Sequence, residues 1–398
     1  MKRLSLLIKP ASSLCNMRCK YCFYHDVGEH RENPSYGIMK KETAEKIIDN
    51  IHKDLDEGDE ITIAFQGGEP TLAGLPWFEH FIQTMSSRKK IKINWALQTN
   101  GLLIDDAWAD FLHKNNFLTG LSIDANTAIH NSIRIDTNGA GTYEACIKAK
   151  SVMENHNVEN NILCVLTNEL AGEPDKVWRF IIREKIRFIQ FIPCLESFNE
   201  DETSPYPLKP ARFANFYSRF YYLWMKELEK GEYYSIKLFD DTANYFFRGI
   251  PSSCGISGRC NVQYVIEADG SAYPCDFYVL DKYNAGNLAE LTLREIFDTM
   301  VIQTFINEQR ELPQLCQSCS YKKYCNGGCK RMNKAVYFGA RGQPNYGSVC
   351  GYKMFLDKCL KPLEHTVRKH FAKQNSNIRQ PGTRGTISPS GLTLSPAH

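Results

Sequence analysis

The sequence has no long apolar run. No stretch approaches the ~18 consecutive apolar residues that a membrane-spanning helix needs, which excludes a helical membrane protein. The apolar stretch near the start, LSLLI at 4–8, also falls short of the ~7–15 residues of a secretory signal core. A lipoprotein signal would want a small residue just before Cys15, where Leu14 stands. We therefore expect a soluble, cytoplasmic protein that does not bind membranes.

An excess of charge of one sign is also missing. The formal net charge is only +3, from 48 Lys and Arg against 45 Asp and Glu, which is too small to predict a nucleic-acid partner. One segment, 316–334, contains five basic residues and no acidic ones. These basic residues would either balance negatively charged metal clusters or form a solvated face. They are Lys322, Lys323, Lys330, Arg331 and Lys334.

Cysteine, in contrast, is abundant. The 398-residue chain contains 15 cysteines, and 43% of its residues are hydrophobic, as expected of a globular protein of two or three domains. In a reducing cytosol, many cysteines favour metal binding over disulfide bonds.

Short β-rich stretches alternate with amphipathic helical stretches in the first half of the chain. Repeated βα units favour a parallel sheet, and six of them are consistent with a partial barrel, whose chemistry sits at the carboxyl ends of the strands. The predicted strands are 4–8, 61–65, 93–98, 118–123, 161–167 and 188–192, and predicted helices include 40–55, 105–115, 174–185 and 209–230.

The composition and the secondary-structure pattern of the sequence change near residue 235. After this point the predicted strands are short, and glycine and cysteine recur. We therefore predict a barrel domain over 1–235 and a cysteine-rich domain with a C-terminal helix over 236–370. The Ser-, Thr-, Pro- and Gly-rich remainder, 371–398, has the composition of a disordered tail.

Three cysteines share one short loop, ASSLCNMRCKYCFY at 11–24, directly after the first predicted strand. A disulfide would leave one of Cys15, Cys19 and Cys22 over, and a closed structural zinc site usually takes four protein ligands. Cysteine thiolates also hold iron–sulfur clusters, and three of them leave one iron open to a substrate or cosubstrate. A structural metal knuckle is the alternative interpretation.

A second group of cysteines lies in the C-terminal part. Within it, CQSCSYKKYCNGGC at 316–329 would suit a zinc ribbon or an iron–sulfur site equally by itself. Because the same chain contains the N-terminal cysteine loop, we favour an iron–sulfur site over a zinc ribbon for this segment. The group comprises Cys254, Cys260, Cys275, Cys316, Cys319, Cys325, Cys329 and Cys350.

The CxxxCxxC pattern, with Tyr21 just before its last cysteine, resembles the radical S-adenosylmethionine (SAM) enzymes. The resemblance implies that the open iron chelates the amino and carboxylate groups of SAM. QGGEP at 66–70 matches the GGEP element of that family, whose backbone and glutamate receive the SAM amino group. By resemblance the SAM contacts are Tyr21, Gly68, Glu69, Ser122, Arg134 and Leu195.

The second cysteine group resembles the SPASM extension of some radical SAM enzymes, which houses two auxiliary [4Fe–4S] clusters. The resemblance implies crossed ligand sets, Cys254, Cys260, Cys275 and Cys329 for auxiliary cluster I and Cys316, Cys319, Cys325 and Cys350 for auxiliary cluster II. With the cluster of the N-terminal loop, the cofactors would be three [4Fe–4S] clusters and SAM.

The segment SAYPCDFYVLDKYNAGNL at 271–288 narrows the interpretation. An aspartate beside a cluster ligand often only caps a turn. In the anaerobic sulfatase-maturating enzymes, however, the aspartate of PCD, here Asp276, is the proposed general base. The N-terminal loop, AFQGGEPTLAG, LQTNG and PCDFYVLDK all resemble that family, over residues 4 to 360.

The resemblance implies an enzyme that oxidises a sulfatase cysteine or serine to Cα-formylglycine. A 5′-deoxyadenosyl radical would take the β-hydrogen, Asp276 would take the side-chain proton, and an auxiliary cluster would take one electron. Tyr24 and Gln66 would hold the peptide backbone. The partners would be an unfolded or nascent sulfatase and an electron donor such as flavodoxin or ferredoxin.

Two other functions are weighed against this one. The first is another SPASM enzyme that modifies peptides, such as a maturase for thioether cross-links or a quinone cofactor. The second is an iron–sulfur electron carrier or zinc-stabilised binding module without catalysis, which would have no use for a three-cysteine loop with an open corner.

Overall fold

The computed structural model describes residues 2–199, 204–339 and 347–378, with side chains described as far as residue 368. The chain divides into two compact units. The first comprises Met1–Leu170, Phe188–Pro207 and Cys260–Glu311, and the second Ala171–Arg187, Leu208–Arg259 and Leu312–His398. These units are groupings by contact, and the domain boundaries near 235 and 370 stay a prediction.

The strands and helices are numbered in chain order. The strands are β1 (Arg3–Ile8), β2 (Glu60–Phe65), β3 (Lys92–Thr99), β4 (Leu118–Ser122), β5 (Asn160–Leu166), β6 (Phe188–Pro193), β7 (Ser235–Ile236), β8 (Val265–Ile266) and β9 (Ala272–Tyr273). The helices are α1 (Phe23–Glu29), α2 (Lys41–Asp54), α3 (Leu75–Ser86), α4 (Asp106–Lys114), α5 (Thr127–Ile133), α6 (Tyr143–Asn155), α7 (Pro174–Arg183), α8 (Pro210–Glu229), α9 (Lys237–Arg248), α10 (Leu293–Phe297), α11 (Met300–Asn307), α12 (Gln314–Gln317), α13 (Lys322–Cys325) and α14 (Gly351–Ile378).

The sheet of the first unit is parallel almost throughout. Its strands lie in the order β6–β5–β4–β3–β2–β1–β8–β9, and only β8 and β9 pair antiparallel. Helices α2 to α6 connect consecutive strands, as a parallel sheet requires. The predicted α/β fold with six βα strands is confirmed, and each predicted strand matches an observed one to within a residue or two.

The apolar face of each helix explains how it packs. In α4, the side chain of Asp105 accepts a hydrogen bond from the Trp108 N–H and so caps the first turn. Trp108 and Leu112 of this helix are buried, and the Trp108 ring lies 5.2 Å from the ring of Phe78 in α3. In α3, the rings of Phe78 and Phe81 lie 4.8 and 5.3 Å from the ring of Phe65 at the end of β2. Aromatic packing therefore holds the end of β2, where the QGGEP segment begins.

The second unit is mainly helical. Helix α14 packs against α8 and α9, and α7 packs against α8. Phe239 of α9 stacks on Phe355 of α14 at 6.2 Å and contacts Trp224 of α8 at 5.3 Å. Within the described residues, no helix is both long and apolar enough to cross a membrane.

Helix α14 continues through residues 371–378, which the sequence places in the predicted tail. The segment FAKQNSNI at 371–378 has no proline or glycine to end a helix. The remainder of the predicted tail, 379–398, lies outside the described residues.

Candidate active site at the carboxyl edge of the sheet

The register of three neighbouring strands brings their following residues together. Ile8 of β1 pairs with Phe65 of β2 on one side and with Ile266 of β8 on the other. Lys9, Gln66 and Glu267 come next along the three strands. Because these strands are parallel, their carboxyl ends meet at one edge of the sheet, where the chemistry of such folds is found.

The cysteine loop begins at this edge, directly after β1. Cys15, Cys19 and Cys22 are all half-buried, and Cys22 is the N-cap residue of α1. Burial raises the pKa of Cys15 to about 11 and that of Cys19 to about 12. Bare thiolates would be costly here, whereas metal-bound thiolates are stabilised by the cation, so the three thiols suit a cluster.

The QGGEP loop is bound to the cysteine loop through the backbone. The Gly68 N–H donates to the Ser12 carbonyl at 2.9 Å, and the Glu69 N–H donates to the Leu14 carbonyl at 2.7 Å. A Cβ at Gly68 would lie 2.1 Å from the Leu14 carbonyl oxygen. The glycine therefore permits close contact between the two loops, and its SAM contact stays a prediction.

Glu69 is buried and satisfied by its own chain. Its Oε1 accepts hydrogen bonds from the N–H and hydroxyl of Thr71 and from the Thr99 hydroxyl, at 2.6–3.1 Å. Its Oε2 accepts from the Asn100 N–H at 2.7 Å. Burial raises the pKa of this carboxyl, while these hydrogen bonds oppose the change. The carboxylate thus anchors the QGGEP loop to the end of β3.

Tyr21, Asp124 and Arg134 form a buried chain of hydrogen bonds. The Tyr21 hydroxyl donates to Asp124 Oδ2 at 2.6 Å and accepts from Arg134 Nη1 at 2.9 Å. Arg134 is 6% exposed, and its Nε has no hydrogen-bond partner in the described part of the chain. An unpartnered buried guanidinium nitrogen fits the carboxylate of a bound SAM.

Two further residues that the sequence predicts as SAM contacts lie at or after the ends of strands. Ser122 ends β4 and Leu195 follows β6, and both are half-buried. Their contacts to SAM stay predictions.

Asp276 lies in a polar cluster with both residues predicted to hold the substrate. It is 5% exposed, and its Oδ2 accepts from the Tyr24 hydroxyl at 2.7 Å and from Gln66 Nε2 at 3.0 Å. Gln66 Nε2 also lies 2.5 Å from the Tyr24 hydroxyl oxygen. The sequence predicted these three residues one by one, and the fold makes them neighbours.

Three charged residues at this site were missed from the sequence. Lys9 Nζ lies 3.2 Å from Asp276 Oδ1 and 3.7 Å from Glu267 Oε1, and Arg31 Nη1 lies 2.8 Å from the same Glu267 oxygen. Burial alone would raise the pKa of Glu267, but the charges of Lys9 and Arg31 bring it below the ordinary value. A charged residue directly after a buried apolar strand, as in LSLLIK and VIE, was the available signal.

The proposed ligands of auxiliary cluster II share one cavity in the second unit. Cys316, Cys319, Cys325 and Cys350 all line it, together with aromatic side chains that include Tyr337 and Tyr352. Burial raises the pKa of Cys350 to about 12, as at the N-terminal loop. Four thiols around an enclosed space suit an iron–sulfur cluster.

The cysteines expected at auxiliary cluster I are divided between the units. Cys254 and Cys329 belong to the second unit, and Cys260 and Cys275 to the first. Their ligand set stays a prediction. None of the described cysteines forms a disulfide bond, and no three His, Cys, Asp or Glu side chains in the described ranges converge closely enough for a single metal ion. In a [4Fe–4S] cluster each thiolate binds a different iron, so its ligands need not converge on one point.

Comparison with known proteins agrees with the two motif regions. Residues 10–180 match the radical SAM superfamily, and residues 254–320 match the SPASM iron–sulfur cluster-binding domain. The predicted SPASM domain is thereby confirmed.

Curated relatives match over most of the chain. The cysteine-type anaerobic sulfatase-maturating enzyme of Clostridium perfringens (strain 13 / Type A) is 43% identical over 335 residues, which cover 83% of this chain and 90% of the relative. The serine-type enzyme of Klebsiella aerogenes is 31% identical over 90% of this chain and 85% of the relative.

A solved structure of anSMEcpe with bound AdoMet and the Kp18Cys peptide superposes with a TM-score of 0.84 at 37% identity, covering 92% of this chain and all of that one. The chain therefore belongs to the anaerobic sulfatase-maturating enzymes, radical SAM enzymes whose cofactors are [4Fe–4S] clusters and SAM.

Proposed function

We propose that this enzyme oxidises a cysteine of a sulfatase polypeptide to Cα-formylglycine, with Asp276 as the base. The observation that carries the proposal is the placement of Asp276, a buried carboxylate held by Tyr24 and Gln66 at the carboxyl edge of the sheet. The similarity to cysteine-type sulfatase-maturating enzymes supports the choice of substrate.

The cofactor sites follow the residues described above. Cys15, Cys19 and Cys22 would hold the cluster that binds SAM, and the two SPASM ligand sets would hold one auxiliary cluster each. When bound, the clusters and SAM supply the 5′-deoxyadenosyl radical that takes the Cβ hydrogen atom and the acceptor for the remaining electron.

Asp276 accounts for the proton in this reaction. A cysteine side chain that loses a hydrogen atom from Cβ, a proton from sulfur and one electron becomes a thioaldehyde, which water converts to the aldehyde with release of hydrogen sulfide. The proton needs an acceptor near the peptide. A carboxylate at the carboxyl edge of the parallel sheet can serve as that acceptor. Tyr24 and Gln66 donate to one oxygen of Asp276, which orients the carboxylate.

Tyr24 is well placed to touch the substrate as well. Its hydroxyl group donates to Asp276, and its side chain is half-buried whereas that of Asp276 is buried. Tyr24 and Gln66 are both partly exposed beside the proposed base, which supports their predicted contact with the peptide.

Cysteine is the preferred target in this proposal. The cysteine-type relative is 43% identical to this chain, and the serine-type relative 31%. A thiol also loses its proton more easily than a hydroxyl group, which suits a carboxylate base. The protein partners would be an unfolded or nascent sulfatase and a low-potential electron donor of the flavodoxin or ferredoxin type.

The test is anaerobic. The reconstituted protein is incubated with reductant, SAM and a short sulfatase-motif peptide that contains either cysteine or serine. The mass of the peptide is then measured by mass spectrometry. We expect the cysteine peptide to lose the mass that corresponds to formylglycine, together with formation of 5′-deoxyadenosine. Formation of 5′-deoxyadenosine without a mass change in either peptide would contradict the proposed substrate, and oxidation of the serine peptide alone would contradict the cysteine preference.

A further inference from the structure

We propose that Lys9 is a positioning residue for this reaction: its buried ammonium group holds the free oxygen of Asp276 and so fixes the carboxylate in one orientation. This inference rests on the proposed function, because it assigns a residue that acts through the base. Lys9 was given no role in the sequence analysis.

Four buried charges lie together at the site. Lys9, Arg31, Glu267 and Asp276 are 2%, 7%, 1% and 5% exposed, and they comprise two cations and two carboxylates. Buried charges are retained only when they are paired, because removing an ion from water costs several kcal/mol. The set is therefore balanced, and each member is needed to compensate another.

The sheet register places Lys9 and Glu267 side by side. Ile8 pairs with Ile266 across β1 and β8, and the Lys9 N–H donates to the Ile266 carbonyl at 2.8 Å. The backbone of Lys9 is thus fixed by the sheet. The surrounding charges therefore determine only the direction of its side chain.

The two oxygens of Asp276 have different surroundings. Oδ2 accepts from Tyr24 and Gln66, whereas Oδ1 accepts no hydrogen bond from the described residues and has its ion pair with Lys9 Nζ at 3.2 Å. Without this ammonium group, Oδ1 would be a buried and uncompensated charge. The carboxylate would then rotate or draw in water to satisfy it.

A purely structural role for Lys9 does not explain the distances. Glu267 already has a cation, since Arg31 Nη1 donates to it at 2.8 Å, and Lys9 Nζ is farther from Glu267, at 3.7 Å, than from Asp276, at 3.2 Å. Lys9 Nζ also lies 4.7 Å from the centre of the Tyr24 ring. Lys9 therefore contacts both Asp276 and the tyrosine that donates to it.

The experiment is a double-mutant cycle in the reconstituted holoenzyme with Lys9→Met and Asp276→Asn, alone and together. The readouts are the yield of formylglycine per 5′-deoxyadenosine and the KM for the cysteine peptide. We expect Lys9→Met to lower that yield about tenfold or more, while the peptide KM changes less than about threefold. Lys46→Met, an exposed lysine on α2, is the matched control and should behave as wild type.

In the Asp276→Asn background, Lys9→Met should change the yield by less than about twofold, because its effect passes through the carboxylate. Independent multiplication of the two effects, or a Lys9→Met yield within about twofold of wild type, would overturn the proposal.

Folding is checked separately by circular dichroism and by the iron content after reconstitution. If Lys9→Met does not fold, the cycle is repeated with Lys9→Gln; failure of both to fold would assign Lys9 a structural role and overturn the inference. A wild-type enzyme that cleaves SAM but leaves the peptide unchanged would overturn the proposed function together with this inference. A normal wild type with an unaffected Lys9→Met would overturn the inference alone.

Discussion

Asp276 illustrates how many contacts a single side chain makes at this site. Its backbone N–H donates to Gln263 Oε1 at 3.1 Å, and its carboxylate is contacted by Tyr24, Gln66 and Lys9. A carboxylate with this many contacts has little freedom to reorient, so if it is the base, as we propose, it would receive the peptide in one orientation.

The first prediction concerns the proposed role of Asp276 as the base. Asp276→Asn keeps the shape of the side chain but removes its ability to take a proton. We expect formylglycine formation to fall about a hundredfold or more, with 5′-deoxyadenosine still formed. Mass spectrometry of the peptide and chromatography of 5′-deoxyadenosine measure both. Asp298→Asn, at an exposed aspartate, is the control, and an Asp276→Asn enzyme with normal peptide oxidation would exclude this role.

A second prediction concerns Gly68. Alanine at this position would put a methyl group 2.1 Å from the Leu14 carbonyl oxygen and push apart the cysteine and QGGEP loops. We expect the iron bound after reconstitution to fall by roughly four atoms per chain, the content of one cluster. Gly139→Ala is a strict control, because Gly139 has φ +84° but no atom within 4 Å of its added Cβ. Full iron content in Gly68→Ala would show that the loops tolerate separation.

The sequence predicted which residues belong to the site better than it predicted the contacts between them. Cysteine spacing and PCD were readable because metal ligation and turn chemistry are local in sequence. The contacts of Asp276 with Lys9 and Tyr24 join residues more than 250 positions apart, and the pairing of β1 with β8 creates them. No local pattern encodes a pairing of this kind. A charge after an apolar stretch marks Lys9 and Glu267 as candidates, but it does not show that they and Arg31 meet Asp276.

The secondary-structure elements follow from hydrophobic periodicity, and most of them were predicted. Strands β1 to β6 and helices α2, α4, α7 and α8 match the predicted segments because each has a clear apolar face or a short apolar core. The two-residue strands β8 and β9 were not predicted, since two residues show no periodicity. Strand β8 forms by pairing with β1, and β9 forms by pairing with β8.

The link between α4 and α6 provides a prediction about pH. His156, the C-cap residue of α6, lies 2.9 Å from Asp106 and 2.6 Å from Asp110 of α4, and these hydrogen bonds raise the pKa of His156 above 6.5. Both ring nitrogens can donate only when the imidazole is protonated. The stabilisation is therefore complete below pH 6.5 and is lost as the pH rises through the folded-state value.

We expect the difference in melting temperature between wild type and His156→Gln to shrink as the pH rises from 6 to 8.5, by up to about 2 °C. Differential scanning calorimetry of the two proteins measures it. His113→Gln, at an exposed histidine near the C-terminal end of α4, is the control. A difference that is constant with pH would mean that the ion pairs contribute nothing.

At the level of the whole molecule, the described cysteines divide by their surroundings. Cys146, Cys164, Cys194 and Cys359 are buried, from 0% to 2% exposed, as expected of small hydrophobic residues. The cysteines of the loop after β1 and of the cavity in the second unit are grouped instead. Measuring the iron content of cysteine variants distinguishes the buried single cysteines from the proposed cluster ligands.

The fourth prediction is therefore stoichiometric. With three [4Fe–4S] clusters, the reconstituted protein should bind about twelve iron atoms, and Cys316→Ala combined with Cys350→Ala should lower this to about eight. Cleavage of SAM should persist, because the N-terminal loop is unchanged. Cys359→Ala, a buried cysteine in the same unit, should keep the full iron content. Unchanged iron in the double variant would exclude a cluster in this cavity.

The pairing of β1 with β8 also has a consequence for biosynthesis. On the ribosome, β1 to β6 emerge first, and until Val265 and Ile266 have been made, the β1 edge that they cover lacks its partner. An uncovered strand edge is a template for association with other chains. A fragment cut at residue 235 would keep that edge permanently, and it would also lack Asp276. For expression of this enzyme, a product of translation must extend past β9 to be useful, and slow synthesis of the middle of the chain prolongs the period in which the β1 edge is uncovered.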